Sequence, residues 1–266
     1  MRVHDAYDLI EEQFNRELDG TLGPAGPDSL FRYVAEMGLP AGAVAVDAGC
    51  GEGEHAVELA TRFGFLVTGV DPVQRCVQAA RDRVARRNAP PGGPVTFAVG
   101  TAENLPLPSA SADLVWSRDV LSLVEDLDGA YREFRRVLKP GGRALIYQMF
   151  TTSLLEPAEA AFLLPVMGCR AAAMRPENTE AAIAGAGLRI DQRVVLGSEW
   201  GEYYHEHARS PHLLHAARLL RDPGRYIARF GRENYDIKLG DCLWHVYRMI
   251  GKLSSRVYLL SAPGED

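Results

Sequence analysis

The stretch VDAGCGEG at residues 46–53 constrains the fold of this chain more than any other. It joins a short apolar run, 43–48, to a segment where Ala56, Leu59 and Ala60 recur at helical spacing. A short, nearly continuous apolar run suits a strand buried on both faces. Strand, glycine turn and helix in that order form the opening unit of a parallel α/β sheet. Gly49, Gly51 and Gly53 then present bare backbone at the carboxyl end of the strand, where side chains would obstruct a ligand.

The same alternation continues. FLVTGVD (65–71), VTFAVG (95–100), ADLVWS (112–117) and RALIYQMF (143–150) read as further strands. Residues 73–88 and 126–139 read as the helices between them, the second ended by PGG. A helix at 177–187 precedes a sixth strand at 188–197, and SSRVYLLSA (254–262) closes the chain as a last strand. The expected organisation has an N-terminal helical segment at 1–40 and a core formed by 41–196 with 254–262. Two segments, 151–176 and 197–253, interrupt it. Both follow strands parallel to the first, so both start at the carboxyl edge of the sheet, where α/β folds encode specificity in loops. They are expected to form a cap over a binding site. Tyr7 and Phe14 in the N-terminal segment are candidates to close it from the other side.

The G-x-G-x-G spacing differs from the G-x-G-x-x-G turn that holds a dinucleotide pyrophosphate at a helix N-terminus. This disfavours a nicotinamide or flavin oxidoreductase. The second strand ends in Asp71, where a carboxylate can accept from both hydroxyls of a ribose, or else cap the next helix. In order, VDAGCGEG, GVDP, GTAENLPLP, DLVWSRDVL and RVLKPGG resemble the class I S-adenosylmethionine-dependent methyltransferases over residues 40–150. The resemblance implies a Rossmann-like, doubly wound seven-stranded sheet with its last strand antiparallel, and S-adenosylmethionine as cofactor. It further implies that Gly49, Gly51 and Gly53 admit the cofactor, that Asp47 orients their turn, and that Asp71 with Pro72 holds the ribose. Ala102 and Glu103 would flank the adenine, and Ser117 and Arg118 would lie near the methionine end. The chain departs from the family at Thr101, where an aspartate is frequent.

Methyl transfer from a sulfonium is a displacement that the protein aligns and shields from water. A general base is needed when the acceptor must lose a proton early. The loop after the fourth strand offers Asp119, which could equally be an N-cap. It has neither the histidine many relatives place there nor an N-P-P-Y motif, which disfavours adenine or glutamine as acceptor. Four of the seven histidines lie in EYYHEHARSPHLLH (202–215). His205 and His207, directly after the sixth strand, are candidate bases, with Tyr203 and Tyr204 as acceptor contacts. His212 and His215 read as supporting helix. No metal is expected, because the cluster offers no cysteine and one close carboxylate.

The net charge of -6 lacks the basic signature of a nucleic-acid binder. Arg218, Arg221, Arg225, Arg229 and Arg232 read as a solvated face. CLWHVYRMIGKL (242–253) reads as cap core or a dimer contact. No window is apolar enough to span a bilayer, and Cys50, Cys76, Cys169 and Cys242 read as free thiols in a reducing cytoplasm. The expected protein is a cytoplasmic methyltransferase acting on N or O of a small molecule such as a natural-product intermediate. The alternatives are a nucleic-acid methyltransferase and a cyclase or binding protein that keeps the cofactor fold.

Overall fold

The computed structural model describes residues 15–86, 92–206 and 211–264. Seven strands form one sheet: β1 (Val44–Ala48), β2 (Leu66–Asp71), β3 (Val95–Val99), β4 (Ala112–Arg118), β5 (Leu138–Thr151), β6 (Arg189–Leu196) and β7 (Leu253–Ser261). Their order is β3-β2-β1-β4-β5-β7-β6. β1 to β5 are mutually parallel, and β7 lies antiparallel between β5 and β6. β6 therefore runs the same way as β5, so the segment after it leaves from the carboxyl edge.

Alternate residues of the central strands feed two cores. Val46, Ala48, Val115 and Ile146 face one side, packed with Tyr131 and Phe134 of α5 (Leu127–Val137) and Ile183 of α7 (Pro176–Gly185). Ala45, Leu114, Trp116 and Leu145 face the other, packed with α2 (Ser29–Glu36), α3 (Glu54–Phe63) and α4 (Gln74–Ala85). Helices on both faces explain why these strands read as apolar runs.

One boundary differs from expectation. PGG does not precede β5 but lies within it. β4 and β5 pair at Ala112–Leu138 and again at Leu114–Arg143, with an irregularity between. Gly141, at φ +73°, takes up the extra residues where a side chain would be strained.

The remaining described helices are α1 (Asn15–Gly20), α6 (Pro157–Val166), α8 (Glu199–Glu206), α9 (His212–Arg221), α10 (Pro223–Phe230) and α11 (Arg232–Met249). Leu163 and Leu164 of α6 form a small core with Leu243, Trp244 and Tyr247 of α11 and with Met149 of β5. Ala216 and Leu219 of α9 pack on Tyr235, Leu239 and Cys242 of α11. The stretch before α2 runs along α8, where Ala25 N–H donates to Glu199 O at 3.1 Å and Gly23 N–H to the Glu202 carboxylate at 2.8 Å. None of the described helices is long and apolar enough to cross a membrane.

Candidate active site

The turn between β1 and α3 places Gly49, Gly51 and Gly53 at φ +83°, +52° and +78°. A Cβ on Gly49 would meet Val120 at 2.0 Å, and one on Gly53 would meet Phe97 at 2.6 Å. One on Gly51 would meet nothing within 4 Å, so this residue borders open space. Their amides are already committed. Gly49 and Cys50 donate to Val70 O, Gly51 to the Asp71 carboxylate and Gly53 to Cys50 O. These amides are therefore not available to a phosphate, and Glu54 in the first turn of α3 adds a negative charge where an anion would sit. The turn fits a nucleoside ligand without a pyrophosphate.

Asp71 closes β2. One carboxylate oxygen accepts from Gly51 N–H at 2.9 Å and the other from Val73 N–H at 2.9 Å. The carboxylate thereby ties the glycine turn to the start of α4, and each oxygen keeps a lone pair. Asp71, Pro72, Gly49, Ala102 and Glu103 line one cleft of about 290 Å³ with Thr101, Val120, Leu123 and Val124.

Asp47 lies behind the turn, 1% exposed, with one oxygen unpartnered. Its pKa is pushed up to about 7 by desolvation, against the Ala56 N–H bond, with Asp71 adding and Arg118 opposing. A carboxyl whose folded pKa is raised stabilises the fold at low pH, and that contribution is lost as pH rises from about 4 to about 7. The loss is on the order of 4 kcal/mol. Asp47→Asn should therefore flatten the decline in melting temperature between pH 5 and pH 8. A decline as steep as in the wild type would show that Asp47 is not its source.

A second cavity of about 360 Å³ adjoins this cleft. Leu123 belongs to both walls. Its floor is the end of β4. Arg118 donates to His55 Nε2 at 2.6 Å, and its Nε lies 3.8 Å from the Asp119 carboxylate. Desolvation, with the Arg118 charge adding, lowers His55 to about 3 and keeps it neutral, so Nε2 accepts and the proton sits on Nδ1. Asp119 takes φ +57°, a left-handed conformation that costs a non-glycine residue about 1–3 kcal/mol and concentrates at functional sites. Desolvation raises its pKa, opposed by Arg118 and Arg248.

The opposite wall comes from α8, α9 and α11. Trp200 is 1% exposed and stacks on Tyr147 of β5 at 4.6 Å and 3°. The guanidinium carbons of Arg118 and Arg248 lie 5.1 and 4.7 Å from its ring. His212 and His245 stack at 3.8 Å. Asp241 lies 3.9 Å from His245 Nε2 and accepts from Lys238 at 2.7 Å. Desolvation lowers both histidines, His245 to about 4, so both are neutral near pH 7. Donor atoms of His212, Asp241 and His245 lie within 4.8 Å of one another, the one such group among the described residues.

A family profile described as "Methyltransferase domain" matches residues 46–146, the span from β1 into β5. Residues 46–146 are a methyltransferase domain of the class I S-adenosylmethionine-dependent kind. Among curated proteins, it is 34% identical over 149 residues to 27-O-demethylrifamycin SV methyltransferase of Amycolatopsis mediterranei, covering 53% of this chain and 54% of that one. It is 32% identical over 151 residues to an S-adenosyl-L-methionine-dependent Diels-Alderase of Talaromyces variabilis, covering 54% and 51%. The chain thus spans about half the length of the curated relatives it matches. Two solved structures share the fold over most of the chain. The [4+2]-cyclase SpnF has a TM-score of 0.67 at 22% identity, covering 90% of this chain and 81% of that one. Phosphoethanolamine N-methyltransferase 2 of Haemonchus contortus has a TM-score of 0.68 at 23% identity, covering 91% and 54%.

Within this methyltransferase domain the residues read from sequence fall in three groups. Gly49, Asp71, Pro72, Ala102 and Glu103 meet at one cleft, with Gly51, Gly53 and Asp47 in or behind its turn. Arg118 and Asp119 line the second cavity, and Ser117 is buried beside them with its hydroxyl unpartnered. Tyr203 instead lays its ring over Gly26, where a Cβ would approach it to 2.8 Å. His205 and Tyr204 lie on α8, but their side chains, like His207, Tyr7 and Phe14, are outside the described residues. His212, read as support, is in the cavity wall, while Arg218, Arg221, Arg225, Arg229 and Arg232 are exposed as expected. Trp200, Asp241, His245 and Arg248 carried no local motif. The one available signal was a pair of aromatics and a histidine among otherwise helical, apolar spacing.

Proposed function

We propose that the protein transfers the methyl group of S-adenosylmethionine to an oxygen or nitrogen of a small molecule held in the larger cavity. The observation that carries this is the shared wall. The nucleoside cleft and the 360 Å³ cavity meet at Leu123, and Asp119, Val120, Ser122, Val124 and Glu125 of the same loop border one or the other. A methyl donor in the first would face an acceptor in the second. The volume suits a compact organic acceptor, and Leu123, Met149, Met167 and Trp244 favour one with an apolar body. The rifamycin-modifying relative supports a natural-product intermediate.

The cofactor supplies an activated methyl on a positive sulfur. Asp71 orders the glycine turn and accepts from the ribose hydroxyls, while Ala102 and Glu103 flank the adenine. Ser117 and Arg118 take the methionine end. Segments 151–176 and 197–253 act as the cap that excludes water. Asp119 and the neutral His245, stacked on His212 and 3.9 Å from the Asp241 carboxylate, receive the acceptor proton. His205 and His207 stay candidates for the same task.

The test is calorimetric titration with S-adenosylmethionine, then turnover on a panel of phenols, alcohols and amines read as S-adenosylhomocysteine formed. His245→Gln should lower kcat about 10²-fold or more, with cofactor affinity unchanged. Failure to bind the cofactor would sink this reading. The Diels-Alderase and cyclase relatives support a second reading, in which the cofactor is bound and not consumed. Product formed without S-adenosylhomocysteine would select it.

A further inference from the structure

The cavity contains a cation with no counter-ion in contact among the described residues. Arg248, in the last turn of α11, is 8% exposed. Its Nε and Nη2 are buried and reach no acceptor among the described residues. These two N–H groups form one edge of the guanidinium and point the same way. That edge grips a carboxylate through two parallel hydrogen bonds. Burying it without a partner is costly, because both donors have lost water and gained nothing.

The surroundings hold the group in place without satisfying it. Its guanidinium carbon lies 4.7 Å from the Trp200 ring and 6.0 Å from that of Tyr147. Contact with a ring satisfies none of the guanidinium N–H groups with an acceptor oxygen. Asp119 faces the same space, but its ion-pair contact is with Arg118 at 3.8 Å. Asp241 is engaged by Lys238 at 2.7 Å. Met149, Met167, Leu123 and Trp244, which line the same cavity as Arg248, make its wall largely apolar.

We propose that Arg248 seats a carboxylate carried by the methyl acceptor, whose apolar body lies against Leu123, Met149, Met167 and Trp244. The acceptor is then an amphipathic carboxylic acid, anchored at one end by Arg248 and presenting its nucleophile toward Asp119. A phosphate suits the site less, since Asp119 and Asp241, which line the same cavity, would repel a dianion more than a singly charged carboxylate. The cofactor also carries a carboxylate. Arg118 and Arg248 both line the second cavity, the first from the end of β4 and the second from α11, so the two carboxylates are separated by the titrations below. The inference rests on the methyltransferase reading for its word acceptor, and the anion seat is testable apart from it.

The probes are 4-hydroxybenzoate, 1-naphthoate, indole-3-acetate and decanoate, each beside its primary amide. They are titrated into wild type, Arg248→Gln and Arg248→Lys, with and without saturating S-adenosylhomocysteine. In the wild type at least one acid should bind roughly 20-fold tighter than its amide, the worth of a charge-assisted bidentate pair. Arg248→Gln should abolish that preference, and Arg248→Lys, with charge but no fork, should keep part of it. Both variants should bind S-adenosylhomocysteine within about threefold of wild type, as a bidentate loss would exceed that, which also shows that they fold. The proposal is overturned if no acid is preferred over its amide, or if the preference survives in Arg248→Gln. It is overturned equally if that variant loses S-adenosylhomocysteine but not 5′-methylthioadenosine, which lacks the amino-acid end. Loss of S-adenosylhomocysteine binding in the wild type itself would count against the methyltransferase reading, while the acid–amide comparison without cofactor still judges Arg248.

Discussion

Asp71→Ala should weaken S-adenosylmethionine binding by about 10²-fold or more, measured by calorimetry at fixed pH and salt. Two effects act together. The ribose hydroxyls lose charge-assisted acceptors, each worth about 1.5–3 kcal/mol. The glycine turn also loses its tie, because Gly51 N–H and Val73 N–H both donate to this carboxylate at 2.9 Å. Asp71→Asn should fall between, since an amide offers one oxygen where the carboxylate offers two. Circular dichroism and melting separate a damaged turn from an unfolded chain. Affinity unchanged in Asp71→Ala would remove the ribose role and the strongest link between this cleft and the cofactor.

Trp200→Ala should produce the largest loss of stability. Trp200 is 1% exposed, rests on Tyr147 of β5 and lies beneath two guanidinium groups. Among the described side chains of α8 it is the buried one, and it bridges the segment after β6 to the sheet. Removing a buried tryptophan costs about 3–5 kcal/mol. For a chain of this size that lowers the melting temperature by roughly 10 °C. Arg118 and Arg248 lose the ring that orders them, so turnover should fall further than cofactor affinity. Trp200→Phe, keeping an aromatic face against Tyr147, should recover more than half of the stability. A melting temperature within about 2 °C of wild type would mean that the helices over the cavity are held elsewhere.

The residues legible in sequence share a property: their neighbours in space are near in sequence, or stand at one edge of a regular sheet. Gly49 and Asp71 end adjacent parallel strands, Val70 pairs with Ala48, and Ala102 follows β3 at the same edge. Strand periodicity and turn chemistry therefore sufficed to bring them to one cleft. The boundary at Leu138 was misread for the same reason. PGG is a strong local breaker, but pairing with Ala112 draws it into β5 across a bulge.

From the sequence alone came the α/β class, the parallel course of β6, the direction of the chain into its last helices, and the residues that meet at the cleft of Gly49 and Asp71. All follow from local patterns of two or three residues per repeat and from the handed connections they impose. Only the tertiary structure brought His212 to His245, placed Trp200 on Tyr147, and left Arg248 buried with a free edge. Those contacts depend on how α8, α9 and α11 pack against β5 and against one another. Packing of that kind is set by summed apolar burial over many residues and leaves no motif along the chain. His212, read from its spacing as helix support, is brought into the cavity wall by stacking and burial, which no spacing reports.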